Sequence, residues 1–206
     1  MGAVQIPEPS DFTMAELDAL PDDGKQHELV DGLHLVTPSP TRLHQRAVIG
    51  FTYLLSQNCL AEYEVLVAPM DYRPTPQRSL QPDVMVASRD DTGTTALVRP
   101  LLLAVEVLSP STRMKDLLLK RGVYQESGVA SYWIFDPEDG VLTVLELSDG
   151  RYVERAVVKG SDIFEARLPF AVRVAPSELV GQPFSSVINS VRSGRFSGWT
   201  TSPVRT

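Results

Sequence analysis

Along the chain, apolar residues shift between alternation, short continuous runs and helical spacing, and each change of period marks an element. Thr13 followed by Glu16 is a capping-box pattern and predicts a short helix over 14–20. Two β-prone runs, 26–30 and 33–36, flank Asp31-Gly32, a pair that strongly favours a tight hairpin turn. After Pro38 and Pro40, the spacing of Leu43, Ala47, Phe51, Leu54 and Leu55 predicts an amphipathic helix over 42–62. Residues 64–70 and 83–87 read as strands joined by a loop containing proline and glutamine. Residues 101–108 form a near-continuous apolar run, as expected of a strand buried on both faces. Helical spacing returns over 112–126, with Gly128 placed to end that helix.

The segments 131–135, 141–147 and 151–158 are β-rich and separated by Asp- and Gly-containing turns, which predicts an antiparallel meander. The expected architecture is therefore α/β: a mixed central sheet flanked by the 42–62 and 112–127 helices. Residues 1–11 are expected as a flexible arm, 12–183 as one domain, and 184–206, rich in Ser, Arg and Gly, as a flexible tail.

Composition narrows the function. The chain has 206 residues, with 19 Lys and Arg against 26 Asp and Glu, a formal charge of −7. Such a chain does not coat nucleic acid through a global positive field, so nucleic-acid contact must come from a local basic patch. Cys59 is the sole cysteine, so no intrachain disulfide is possible and a structural zinc site is not expected. It is expected as a small buried apolar residue within the second helix. The first twelve residues lack a basic start and an apolar stretch, so no secretory signal is expected. The longest apolar stretch, 101–105, is far short of the roughly 20 residues that span a bilayer. A cytoplasmic protein without a membrane partner is expected.

Candidate chemistry gathers between 82 and 124. Strand alternation puts Leu101, Leu103, Val105 and Val107 on one face and Leu102, Ala104, Glu106 and Leu108 on the other. A carboxylate in such a strand is costly to bury unless it reaches water, is paired, is protonated or binds a cation. Asp83 follows Pro82 at the start of another strand. By itself it reads as a turn acid, but two strands each ending in a carboxylate form a hard-oxygen site suited to Mg²⁺ or Mn²⁺. Asp116, Lys120 and Tyr124 follow at i, i+4 and i+8, along one helix face near Arg113. Within 112–126, four basic residues stand against two acids, locally reversing the global charge. In isolation this is a solvated helix with an Asp–Lys pair. Beside the two acids, its ammonium can orient a water or stabilise charge on a phosphoryl group.

Pro82-Asp83 and Glu106 in its apolar strand resemble the PD-(D/E)xK nuclease signature, with Leu108 where the lysine usually stands. The run from Ala104 to Asp136 resembles the Uma-type family of restriction-endonuclease-like bacterial proteins, which Glu28-Leu-Val-Asp-Gly32 and His44 also fit. The resemblance implies a restriction-endonuclease-like fold and a metal-dependent endonuclease acting on DNA rather than RNA, working as a homodimer. It implies that the lysine has moved to the following helix, at Lys120. Asp83, Glu106 and the Val107 backbone carbonyl would hold the metal, with Glu28 as a further acid or as an exposed hairpin residue. His44 would touch a phosphate or the scissile region, against a structural role at the helix start, and Tyr124 would pack or support the site. Tyr132 and Trp133 are expected to cover the sheet, with stacking on a base as the alternative. Lys120→Ala is expected to spare the fold, as an exposed helix face tolerates alanine. A nuclease-fold protein that binds without cutting, and a hydrolase of small phosphate esters, are the competing readings.

Overall fold

The computed structural model describes residues 11–109 and 119–181. The chain runs through α1 (Met14–Asp18), β1 (Gln26–Val30), β2 (Leu33–Thr37), α2 (Arg42–Asn58), β3 (Tyr63–Val67), β4 (Asp71–Thr75) and β5 (Arg78–Leu80). It continues with β6 (Val84–Ser88), β7 (Ala96–Leu97), β8 (Leu103–Val107), α3 (Arg121–Glu126), β9 (Ser131–Asp136), β10 (Val141–Ser148) and β11 (Arg151–Lys159). β12 (Phe164–Ala166), β13 (Val172–Val174) and α4 (Pro176–Leu179) complete it. The expected flexible tail, the arm up to residue 10 and the first turns of the 112–126 helix lie outside the described residues.

Local chemistry sets the boundaries. The Thr13 hydroxyl accepts from the Glu16 N–H, and Glu16 answers to the Thr13 N–H, closing the capping box that starts α1. Asp31 (φ 48°) and Gly32 (φ 87°) are both left-handed, the conformation a two-residue hairpin turn needs to join β1 to β2. Thr41 caps α2 by accepting from the His44 N–H. That helix ends at Asn58, earlier than expected, because Cys59 turns extended (φ −65°, ψ 131°); Cys59 is a half-buried cap residue rather than a helix-interior one.

The central sheet has six strands in the order β11-β10-β9-β8-β6-β3. The β8–β9 pair is parallel and the other pairs are antiparallel, giving the expected mixed sheet with the β9-β10-β11 meander at one edge. A second sheet, β2-β1-β5-β4-β7, has no counterpart in the sequence reading beyond its β1–β2 hairpin. The segment expected as a proline-bearing loop contains β4 and β5, which pair antiparallel with a register shift between Tyr72 and Thr75. That irregularity accommodates Pro74, which has no N–H to give a regular ladder.

The six-stranded sheet is covered on both faces. On one side Ala47, Phe51 and Leu55 of α2 pack against Val86, Val105 and Trp133. On the other, Leu35, Tyr72 and Leu80 of the second sheet and Tyr124 of α3 pack against Met85, Ala104 and Tyr132. All five residues of β8 are buried, as a doubly covered strand requires. The expected alternation fails at 101–102: Leu101 joins the cluster of Ala104, and Leu102 packs on the opposite side. These two precede the first strand residue, so strand periodicity does not apply to them. Tyr132 and Trp133 are fully buried core residues, which leaves neither ring able to stack on a base.

Helix α2 is pressed onto α4 at Gly50, where an added Cβ would lie 2.3 Å from the Leu179 carbonyl oxygen. Backbone cannot yield as a flexible side chain can. Gly50→Ala is therefore expected to destabilise the fold by about 1–3 kcal/mol from overpacking, against a helix-propensity gain of about 1 kcal/mol. Urea denaturation should show a lower midpoint; an equal or higher midpoint would contradict this packing.

Candidate active site

Strand pairing brings the two candidate acids together. β6 and β8 are antiparallel with Val84 opposite Val105, and one further step in the same register sets Asp83 opposite Glu106. Side chains opposite one another on adjacent strands are close neighbours. The Val107 N–H donates to Asp83 Oδ2 at 2.8 Å, holding the carboxylate across the strand end. His44 continues the buried stripe of α2 one turn before Ala47, and its Nε2 lies 3.2 Å from the same oxygen. Both contacts of Asp83 use Oδ2, so Oδ1 takes part in neither. The His44 Nδ1 is buried with no hydrogen-bond partner among the described residues.

The parallel β8–β9 pair requires a crossover, and that crossover carries α3 back over the sheet beyond the end of β8. Lys120, immediately before α3, and Tyr124, one turn later, therefore reach Glu106. Lys120 Nζ lies 3.0 Å from Glu106 Oε1, and the Tyr124 hydroxyl donates to that oxygen at 2.6 Å. Burial, reinforced by the charge on Glu106, raises the Tyr124 phenol well above its ordinary value, so Tyr124 remains a hydrogen-bond donor.

From the second sheet, Glu28 on β1 meets the same ammonium, with Oε1 2.9 Å from Lys120 Nζ. The Gln81 N–H, two residues before Asp83, donates to this Glu28 oxygen at 2.8 Å. Exposure is 1% for Glu28, 3% for Glu106 and 4% for Lys120. Lys120 is thus a buried ion-pair member, which overturns the expectation of an exposed helix face tolerant of alanine. The exposed-hairpin reading of Glu28 is overturned for the same reason.

Asp83, Glu106, Val107, Lys120, His44 and Ser109 all line one cleft of about 530 Å³. Glu28 is not among the lining residues and meets the cleft's Lys120 through its ion pair. Arg113 and Asp116 fall outside the described residues. Sequence reading missed Gln81 as the residue that fixes Glu28; its position just before Pro82-Asp83 was the available signal, since its contribution is a main-chain N–H.

Among the described residues, no group of three or more His, Cys, Asp or Glu side chains is gathered so as to hold a metal ion. The donor set nevertheless fits a hard divalent cation of the Mg²⁺ type. Such an ion takes one or two carboxylates and fills its remaining positions with water and phosphate oxygens. Asp83 and Glu106 both line the cleft from adjacent strand ends, and Asp83 Oδ1 is not engaged by the contacts that anchor its partner oxygen.

A mixed sheet with helices on both faces and paired acids at adjacent strand ends defines a nuclease-like α/β protein. In fold the chain is similar to the crystal structure of "a putative nuclease belonging to DUF820" from Anabaena variabilis ATCC 29413. The two superpose with a TM-score of 0.70 at 15% identity, over 82% of this chain and 97% of that one. Residues 14–176 match the family model Uma2, described as "Putative restriction endonuclease", and the chain belongs to that family. No curated protein matches it.

Removing the Lys120 cation strands two buried carboxylates. Lys120→Met is expected to cost about 3–5 kcal/mol of folding stability, the range for breaking a buried ion pair from one side. Lys120→Met combined with Glu28→Gln should recover part of that loss. Denaturant titration of the three proteins checks both; a Lys120→Met protein as stable as the parent would contradict the ion-pair geometry.

Proposed function

We propose that the chain is a divalent-metal-dependent endonuclease that hydrolyses phosphodiester bonds in DNA. The observation that carries this reading is the arrangement of Asp83 and Glu106 across one strand pair, at the floor of a cleft, with the Lys120 ammonium 3.0 Å from Glu106. Asp83, Glu106 and the Val107 backbone carbonyl would hold Mg²⁺ or Mn²⁺. When bound, such an ion lowers the pKa of a coordinated water and neutralises charge on the phosphoryl oxygens.

The remaining work falls to the chain. The Val107 N–H and His44 anchor Asp83 by Oδ2, and Oδ1 takes part in neither contact. Glu28 is engaged with Lys120, so its role in this reading is to orient that ammonium rather than to join the metal shell. Lys120, steadied from both sides, positions the attacking water and stabilises the negative charge that grows on the phosphoryl group. Tyr124 fixes the orientation of Glu106. His44 positions Asp83, in place of the phosphate contact that the family resemblance implies. By analogy with restriction-type nucleases, the working assembly is proposed as a cytoplasmic homodimer; light scattering that returns a monomer removes that part. Among the described residues, no helix is long and apolar enough to cross a membrane.

Incubation with supercoiled plasmid and with single-stranded DNA, in Mg²⁺, in Mn²⁺ and in EDTA, tests the reading. Cleavage should require metal, and Asp83→Asn with Glu106→Gln should lower it by at least about a thousand-fold, some 4 kcal/mol of barrier. Cleavage that survives EDTA, or that the double substitution leaves intact, would overturn it.

A further inference from the structure

The shape and lining of the cleft bear on which form of DNA can reach the acids. Its floor is recessed: Asp83 is 8%, Glu106 3% and Lys120 4% exposed, whereas rim residues Ile49 and Val67 are 47% and 39% exposed. Its volume, about 530 Å³, is in the range of pockets that enclose most of one small organic ligand, roughly 300–1,000 Å³. That is room for a nucleotide or two. A paired helix is far wider, with a major groove alone about 12 Å across, and it holds its phosphates on a stiff convex surface.

The walls point the same way. Val48 and Ile49 of α2 line the cleft, as do Val67 at the end of β3, Pro69 just beyond it, and Pro38 and Pro40 of the β2–α2 connection. Such walls suit the faces of a base and a sugar, which a duplex keeps stacked and paired inside itself.

We infer that the substrate strand is unpaired at the site of cleavage, with the nucleotide beside the scissile phosphate seated between the α2 wall and the Val67–Pro69 wall. This rests on the nuclease reading above and specifies its substrate. Intact duplex is then a poor substrate, and gaps, flaps and single strands are the good ones, because their bases leave the stack at little cost.

The test uses the full chain and three end-labelled DNAs of one sequence: single strand, perfect duplex, and duplex with a short unpaired gap. A chromogenic phosphodiester, bis(p-nitrophenyl) phosphate, is assayed alongside in Mn²⁺. The single strand and the gapped duplex should be cut at least ten-fold faster than the perfect duplex, with cuts in the gapped DNA confined to the gap. Equal or faster cutting of perfect duplex would overturn the inference while leaving the nuclease reading in place. Turnover of the chromogenic ester with no DNA cut would also overturn it. If neither DNA nor ester is cut, the nuclease reading fails and the inference, which rests on it, falls with it.

Discussion

A lysine ammonium buried between two carboxylates is the interaction on which the rest of this site depends. Lys120 is held by Glu28 at 2.9 Å and Glu106 at 3.0 Å, and all three are at most 4% exposed. Burying charge is expensive, and it is tolerated only where partners and hydrogen bonds satisfy it. Here the Gln81 N–H satisfies Glu28 and the Tyr124 hydroxyl satisfies Glu106. Because Glu28 lies on β1 and Glu106 on β8, the bridge also ties the five-stranded sheet to the six-stranded one. No member can be removed without leaving a buried charge or donor unpaired, so the geometry is tightly constrained.

That constraint converts sheet topology into chemistry. The antiparallel β6–β8 pair sets Asp83 against Glu106, and the parallel β8–β9 pair forces a crossover that delivers Lys120 and Tyr124 to the same strand end. α2 adds His44, whose Nε2 reaches the same Asp83 oxygen that the Val107 N–H anchors. Four separate elements thus meet at one end of the sheet, and the cleft opens there.

Much of this was legible in the sequence, for identifiable reasons. Asp31-Gly32 announces its hairpin because few residue pairs tolerate two left-handed positions in succession. The apolar run through β8 announces burial on both faces, and a lone Glu106 within it announces a carboxylate that must be paired, as it is. Lys120 and Tyr124 share a face at helical spacing, and both do meet Glu106. What escaped was what depends on contacts between distant segments. The hairpin position of Glu28 says nothing of Lys120, which lies 92 positions away (120 − 28) in another layer. The same distance hid the burial of Lys120 itself. β4 and β5 escaped because Pro74 and Pro76 are loop signals locally, and the register shift that accommodates Pro74 is set by the partner strand. The main-chain donor of Gln81 carries no side-chain signature at all.

The claim at the centre of this account is that Asp83 and Glu106 form a cation site whose geometry Oδ2 anchoring preserves. Calorimetric titration of Mn²⁺ into metal-stripped protein, wild type against Asp83→Asn, tests it most directly. The account predicts measurable binding to the wild type and an affinity at least about ten-fold weaker in the variant, the lower end of what disturbing a metal site costs, with both proteins equally folded by circular dichroism. Equal affinity in the two, or no binding to either, would contradict it.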